Sequence, residues 1–510
     1  MKAIFIMCDT LSRRVLSAYH GADPAFTPNI DRLVRRGMVF DRHFVGSAPC
    51  MPARRDMLTG RLNFLEKPWG GMEPFDFSMP RLLAVHGNVH SMMFSDHSHY
   101  LIPGGEDYTK GFTAFQVFRG QEGDPVWVRP DQNGIREERR PEGFKGVYTE
   151  AEAENRAHFQ NEEDYPSVQT LHSAAKWLEE NHEADNFLLW AETFDPHEPY
   201  DAPRHYLDLY ERPGEYDGWD FTHPSYQENE FDEAETAHLM RRYKALITMT
   251  DRHIGELLDV MDSHDLWKDT LLIFTTDHGY HLGEHGFMAK NYMPPYNEVF
   301  HIPMIVCHPE ITHPGRCEAL TQNIDVLPTI LEFFGVPEDV IPYPLHGRSL
   351  FPLLRGEADS IRRDAIFGYF GKQVGYTDGR YTYFRAAKDQ ANRPLYLYCS
   401  TPTLLRQMLG ADDGVKTADY DRIECGRFLS WTNYPVYRFP ADIIHFDNLS
   451  QEFERRSPYN SESLLFDLEN DYAQDQPVRD EALERTICQQ LRNCMALHDA
   501  PAEQYERLGL

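Results

Sequence analysis

Ala3-Ile4-Phe5-Ile6-Met7, closed by the polar pair Asp9-Thr10, decides how the rest of this chain reads. The run is strand-sized and apolar throughout, with no polar alternation. That pattern belongs to a strand covered on both faces. Similar runs return at Gly87 to Phe94, Asn186 to Thr193, Leu271 to Phe274 and Met304 to Val306. Helical patterns lie between them. Thr27-Pro28-Asn29 opens one that carries Ile30, Leu33 and Val34 and stops at Gly37. Val168 to Glu180 is a second, and residues 236–262 form a long amphipathic third. This alternation predicts an α/β fold with a large, mostly parallel sheet between helices. Ligands of such sheets bind beyond the carboxyl ends of the strands, so polar residues that follow strands come first.

From residue 365 the pattern changes. Ala365 to Phe370, Gln373 to Thr377, Tyr381 to Arg385 and Tyr396 to Cys399 are short and aromatic-rich, with turns such as Asp378-Gly379 between them. They predict a smaller antiparallel sheet, closed by a helix over 479–497. The chain therefore divides into a large α/β part, 1–364, and a smaller α+β part, 365–510. Residues 104–165 lack periodicity and read as a surface excursion or lid. Residues 201–235 read as loop.

The chain has 510 residues, with 50 Lys+Arg against 81 Asp+Glu and a formal net charge of −31. Such a surface repels nucleic-acid phosphates and anionic lipid headgroups, which excludes both as generic partners. No stretch approaches the roughly 18 apolar residues of a membrane span. The apolar start is too short for a signal peptide. Eight cysteines without paired spacing fit free thiols in a reducing compartment. A cytoplasmic location is expected.

Three strand-end features carry candidate chemistry: Asp9-Thr10, Asp195-Pro196-His197-Glu198-Pro199-Tyr200 and Thr275-Thr276-Asp277-His278-Gly279. Carboxylates from two strand ends can converge on a hard cation, and an adjacent His can complete the shell. An Asp in such a place also caps helices or makes Asx turns. The fourth feature is Pro49-Cys50-Met51-Pro52-Ala53-Arg54, running to Gly60-Arg61. Pro52 suits a first helical turn and Gly60 a stop, which puts Cys50 at a helix N-terminus that favours negative charge. Arg54 returns near Cys50 one turn later. The pair reads as an oxyanion site; a lone Cys is also commonly a small buried apolar residue.

Cys50-x-Pro52-x-Arg54 with Leu58-Thr59-Gly60-Arg61 resembles the signature of type I sulfatases of the alkaline phosphatase superfamily. Further motifs follow in that family's order. They are Asp9-Thr10, Thr27-Pro28-Asn29, Phe194 to Tyr200, Thr276 to Gly279, Leu282-Gly283-Glu284-His285-Gly286 with Lys290, Ile302 to Val306, and Phe466 to Asp471. The resemblance spans nearly the whole chain and implies an alkaline-phosphatase-like sheet. There are departures. Thr10 stands where many sulfatases carry a second Asp, and Asp277-His278 where many carry Asp-Asn. The Asp-His form is shared with phosphonate monoester hydrolases and choline-sulfatase-like enzymes. Asp96-His97-Ser98-His99-Tyr100 replaces the usual Lys-x-x-His segment.

The resemblance implies a sulfuric ester hydrolase. Cys50 would be converted to Cα-formylglycine by a maturation enzyme, and its hydrate would attack a small anionic sulfate ester to give a covalent sulfo-enzyme. Asp9, Asp277, His278 and the modified Cys50 would hold one divalent ion, calcium first, with manganese or magnesium as alternatives. Arg54 and Lys290 would stabilise charge on the ester oxygens, and His197 or Lys290 would protonate the leaving alcohol. Thr10, His97 and His99 are expected to bind substrate. Hydrolysis of phosphonate monoesters or phosphodiesters is the alternative on the same scaffold. Lys67 is expected to be solvated. Residues 498–510 are a candidate tail for homo-oligomer assembly.

Overall fold

The computed structural model describes residues 1–127, 143–147, 149–311, 314–402, 421–443 and 461–510. Eight strands build the main sheet: β1 (Lys2–Cys8), β2 (Met38–Phe44), β3 (His90–Ser95), β4 (Ala114–Val117), β5 (Phe187–Thr193), β6 (Thr270–Thr275), β7 (Met304–Cys307) and β8 (Gly315–Gln322). Their spatial order is β8-β2-β7-β6-β1-β5-β3-β4. Every pairing is parallel except those of β7, which runs antiparallel to β2 and β6. β1 lies between β5 and β6, with Cys8 opposite Thr193 and Met7 opposite Thr275. The ends of β1, β5, β6 and, through Ser95 opposite Glu192, β3 thus open onto one rim.

Alternate residues of the strands feed two cores, as the two-residue period of a strand requires. Ile4, Ile6, Leu189, Ala191, Leu272 and Phe274 pack in one cluster with Leu171, Leu178, Leu246 and Leu257. The last four lie on α3 (Pro166–Asn181) and α4 (Glu233–Ser263), while α1 (Pro28–Arg36) adds Ile30 and Leu33. Phe5, Met7, Leu188, Trp190, Leu271 and Ile273 pack on the other face with Met51, Ala53 and Met57 of α2 (Cys50–Thr59). Each such side chain larger than alanine contributes about 1.5–3 kcal/mol when fully buried.

Every residue of α2 is buried, so its charges must be paired inside. Arg55 forms a two-pronged bond with Asp76 at 2.8 and 3.0 Å, and Asp56 accepts from Ser47 and Asn63. Gly60 ends the helix at φ +67°, a left-handed conformation that glycine adopts without a Cβ penalty.

A second sheet orders Leu464–Asp467, Tyr381–Arg385, Val374–Thr377, Ala365–Tyr369 and Ser47–Ala48. Helix α5 (Glu481–Leu497) packs on it through Ile487, Leu491 and Met495. Tyr396–Cys399, expected in this sheet, instead pairs with Val436–Pro440 in a separate three-stranded sheet with Glu424–Gly426. The 104–165 excursion is more ordered than its sequence suggests. Ala114–Val117 extends the main sheet as β4, Gln121 and Asp124 are buried, and Glu150–Ala157 is helical. Residues 128–142 and 148 of that stretch lie outside the described residues. The 498–510 segment is not a free tail. Its helix α6 (Ala502–Leu508) buries Gln504, Arg507 and Leu508, and Gln504 bonds the Leu65 carbonyl at 2.8 Å. Lys67 is buried and paired with Glu73, because the aliphatic stem is enclosed and the ammonium finds a carboxylate. All eight cysteines are free, and no helix among the described residues is long and apolar enough to cross a membrane.

Candidate active site

The loops after β1 and β6 are tied together at the rim. Asp9 N–H donates to the Thr193 carbonyl at 2.9 Å, extending the strand pairing by one residue. Thr10 then turns to φ +62°, which aims its N–H at Asp277 Oδ1 (2.9 Å) and its hydroxyl at Asp9 Oδ1 (2.6 Å). Thr276 Oγ1 donates to the Cys8 carbonyl at 2.6 Å and accepts from Leu11 N–H at 3.0 Å. Gly279 must be glycine, since a Cβ there would sit 2.0 Å from the Glu298 carbonyl oxygen.

Cys50 is the first residue of α2, and its Sγ lies 3.3 Å from His278 Nε2, 3.6 Å from Lys290 Nζ and 4.0 Å from Asp9 Oδ1. Donor atoms of Asp9, Cys50, Asp277 and His278 all fall within 4.8 Å of one another, and all four residues are buried. His278 Nδ1 bonds the Gly279 carbonyl at 2.9 Å, which leaves Nε2 with its lone pair toward the cluster. Two carboxylates and one imidazole are a fitting donor set for a divalent ion. Burial first, then the Asp9 charge, pushes the Cys50 thiol up, so the unmodified side chain is a neutral thiol.

Arg54 carries the compensating charge. Its Nε donates to Glu192 Oε1 (2.8 Å), Nη1 to Asp277 Oδ2 (2.6 Å) and Nη2 to Asp9 Oδ2 (2.7 Å). Burial opposes ionisation of Asp9, but Arg54 and then His97 outweigh it and hold the carboxyl well below its usual range. The sequence reading turned Arg54 toward the ester; here its donors meet three carboxylates. Glu192 was not singled out from sequence. It also accepts from Tyr100 Oη and Trp190 Nε1, both at 2.9 Å. A glutamate inside the apolar strand Phe187–Thr193 was the available signal.

Lys290 Nζ donates to Thr10 Oγ1 at 3.0 Å and lies 3.4 Å from His278 Nε2. Burial disfavours its charge, yet the Glu198 and Asp9 carboxylates around it raise its pKa. His197 Nδ1 bonds the Glu198 carbonyl at 2.7 Å, and burial brings its pKa down to about 4. His97 accepts the His99 N–H on Nδ1 and sets Nε2 3.3 Å from Asp9 Oδ2. His99 stands one step out, 3.5 Å from Glu122 Oε2 and edge-on to Trp69. The structure thus gathers Asp9, Thr10, Cys50, Arg54, His97, Asp277, His278 and Lys290 into direct contact, with His197 adjoining and His99 outside.

Two buried supports were also invisible in sequence. Gln121 Nε2 bridges Asp96 Oδ2 (2.7 Å) and Asp195 Oδ1 (3.1 Å), joining the loops that carry His97 and His197. Behind Glu198, bonded by Tyr226, stands His223, 3.2 Å from Glu152. Burial disfavours charging His223, but Glu152 and Glu198 outweigh it and raise its pKa to about 9. A raised histidine pKa adds stability in full below its unfolded value near 6.5 and loses it as pH climbs through about 9. His223→Gln is therefore expected to cost about 3 kcal/mol at pH 6, shrinking by pH 10. Urea denaturation at the two pH values measures this; an equal penalty at both refutes the charged pair.

A family model described as "Sulfatase" matches residues 2–336. The chain belongs to the sulfatase family. A second model, "N-sulphoglucosamine sulphohydrolase, C-terminal", matches residues 283–393. The chain is 27% identical over 405 residues to the multifunctional alkaline phosphatase superfamily protein PehA of Trinickia caryophylli, covering 69% of this chain and 76% of that one. It is 24% identical to N-acetylglucosamine-6-O-sulfatase of Bacteroides thetaiotaomicron (72% and 74% covered) and 25% identical to choline-sulfatase of Rhizobium meliloti (76% and 78%). Among solved structures it resembles the phosphonate monoester hydrolase of Agrobacterium radiobacter (TM-score 0.66, 17% identity, 98% and 96% covered). It also resembles a protein solved with its substrate D-glucosamine-2-N,6-O-disulfate (TM-score 0.64, 17% identity, 97% of each chain). The fold is therefore that of the sulfatase enzymes, a mixed, mostly parallel sheet with smaller antiparallel sheets.

Proposed function

We propose that this sulfatase-family enzyme hydrolyses a sulfate monoester at a formylglycine made from Cys50. One observation carries the reading: the Cys50 side chain, at the N-terminus of a buried helix, meets Asp9, Asp277, His278 and Lys290 at a single point on the sheet rim. Asp9, Asp277 and His278 would hold the divalent ion, calcium first, with residue 50. Formylglycine hydrate and ion together supply an activated oxygen nucleophile, which the neutral thiol does not offer.

The remaining work falls to the chain's own side chains. Lys290, cationic and 3.6 Å from Cys50 Sγ, stabilises charge on the ester oxygens. Thr10 fixes that ammonium through its hydroxyl oxygen, while the hydroxyl donates its own proton in a hydrogen bond to Asp9 Oδ1. Arg54 holds Asp9, Asp277 and Glu192 in register without touching substrate. His197 is uncharged at neutral pH and serves the leaving alcohol as a hydrogen-bond partner, while His99 and Glu122 border the mouth. Lys290→Gln is expected to lower kcat by about 10²–10³-fold with a smaller change in KM. A loss under tenfold removes Lys290 from this role.

The Asp277-His278 pair and Thr10 favour a second reading, phosphonate monoester hydrolysis. Both esters present a singly charged tetrahedral group of similar shape, so the same cation arrangement suits either. The test is one turnover screen over aryl sulfate, sulfated sugars, choline sulfate and phenyl phosphonate ester, with the Cys50 peptide weighed from the same sample. Sulfate-ester turnover by protein with an aldehyde at residue 50 is expected. Active protein retaining the thiol overturns the nucleophile, and preference for the phosphonate ester replaces the first reading by the second.

A further inference from the structure

Helices α3 and α4 lie side by side and end together, and both are capped by histidine: His182 closes α3 and His264 closes α4. The two rings stack with centroids 3.7 Å apart and planes 21° from parallel. Glu179, one turn back from His182, places both carboxylate oxygens 3.0 Å from His264 Nε2. His182 Nδ1 bonds the Glu179 carbonyl at 2.7 Å, which leaves its Nε2 as the nitrogen with a lone pair. Glu179, His182 and His264 each offer a donor atom within 4.8 Å of the other two.

We propose that Glu179, His182 and His264 form a second metal site, for a divalent ion of the zinc, copper or nickel class. Two imidazoles and a carboxylate suit those ions better than calcium or magnesium, which prefer all-oxygen shells. Both helix C-termini direct their negative dipole ends at the same spot, which favours a cation there. The rings are partly exposed, at 28% and 25% of their side chains, so an ion has access and small side-chain rotations are available. Glu183 Oε1, 3.9 Å from His182 Nε2, is within reach as a further oxygen.

The site is separate from the catalytic rim. α3 leads into the start of β5 and α4 into the start of β6, whereas the catalytic residues follow the far ends of those strands. β5 is seven residues long, so about 20 Å of sheet lies between the two. An ion here would clamp the two helix ends that feed the strands carrying His197 and His278. This inference does not depend on which ester the enzyme cleaves.

The full-length protein, saturated with Ca2+ and titrated with Zn2+ by calorimetry, tests it. Wild type is expected to bind one more Zn2+ than the His182→Ala/His264→Ala double variant. Each single variant is expected to bind that ion at least about tenfold more weakly. Zn2+ should raise the melting temperature of wild type but not of the double variant, whose melting in EDTA matches wild type and whose turnover is unchanged. Equal Zn2+ uptake by wild type and double variant, or uptake by neither, overturns the proposal.

Discussion

Cys50→Ala is expected to abolish ester turnover, by about 10⁴-fold or more in kcat, while the fold survives. The side chain sits where His278 Nε2, Lys290 Nζ and Asp9 Oδ1 converge, so under the proposed function its loss removes the nucleophile. Structurally the change is small. One sulfur is deleted at the first residue of α2, and the helix keeps Met51, Ala53 and Met57 in the core. Melting temperature and far-ultraviolet circular dichroism should stay near wild type. Activity within tenfold of wild type would sink the assignment of residue 50, whatever the fate of the thiol.

Arg54→Met is expected to cost about 3–5 kcal/mol, because it strips the guanidinium shared by three fully buried carboxylates. Wild type in a chelator retains Arg54 as internal countercharge; the variant is left with Lys290, which donates to Thr10 rather than to these carboxylates. Calcium should therefore stabilise the variant more than it stabilises wild type. Arg54→Lys should recover only part of the loss, since a compact ammonium cannot address three carboxylates as a planar fork does. Urea denaturation of the three proteins in EGTA and in excess Ca2+ reads all of this. If Arg54→Met is as stable as wild type in EGTA, the countercharge role is wrong.

Much of this architecture was legible in local pattern. Unbroken apolar runs located β1, β5, β6 and β7, and helical periodicity located α1, α3 and α4. β2 and β8 escaped because Met38–Phe44 and Gly315–Gln322 mix charged and apolar residues without clean alternation. Asp9, Asp277 and His278 stood out because each lies within three residues of a strand end. The start of α2 at Cys50 could be anticipated from Pro52 and Gly60.

Local pattern alone specifies β1, β5, β6 and β7, their polar ends and the helix that opens at Cys50, since these depend on side chains within a turn or two of one another. The tertiary structure alone decided which ends meet. Arg54 reaches Glu192 and Asp277 across 138 and 223 residues of chain, and Lys67 and the 498–510 segment find their burial the same way. A strand's own pattern states which residues face a core, not which strand lies beside it. Placing β1 between β5 and β6 is a property of the whole packed sheet, and from that neighbourhood come Glu192, the Asp96–Asp195 bridge and the direction of Arg54.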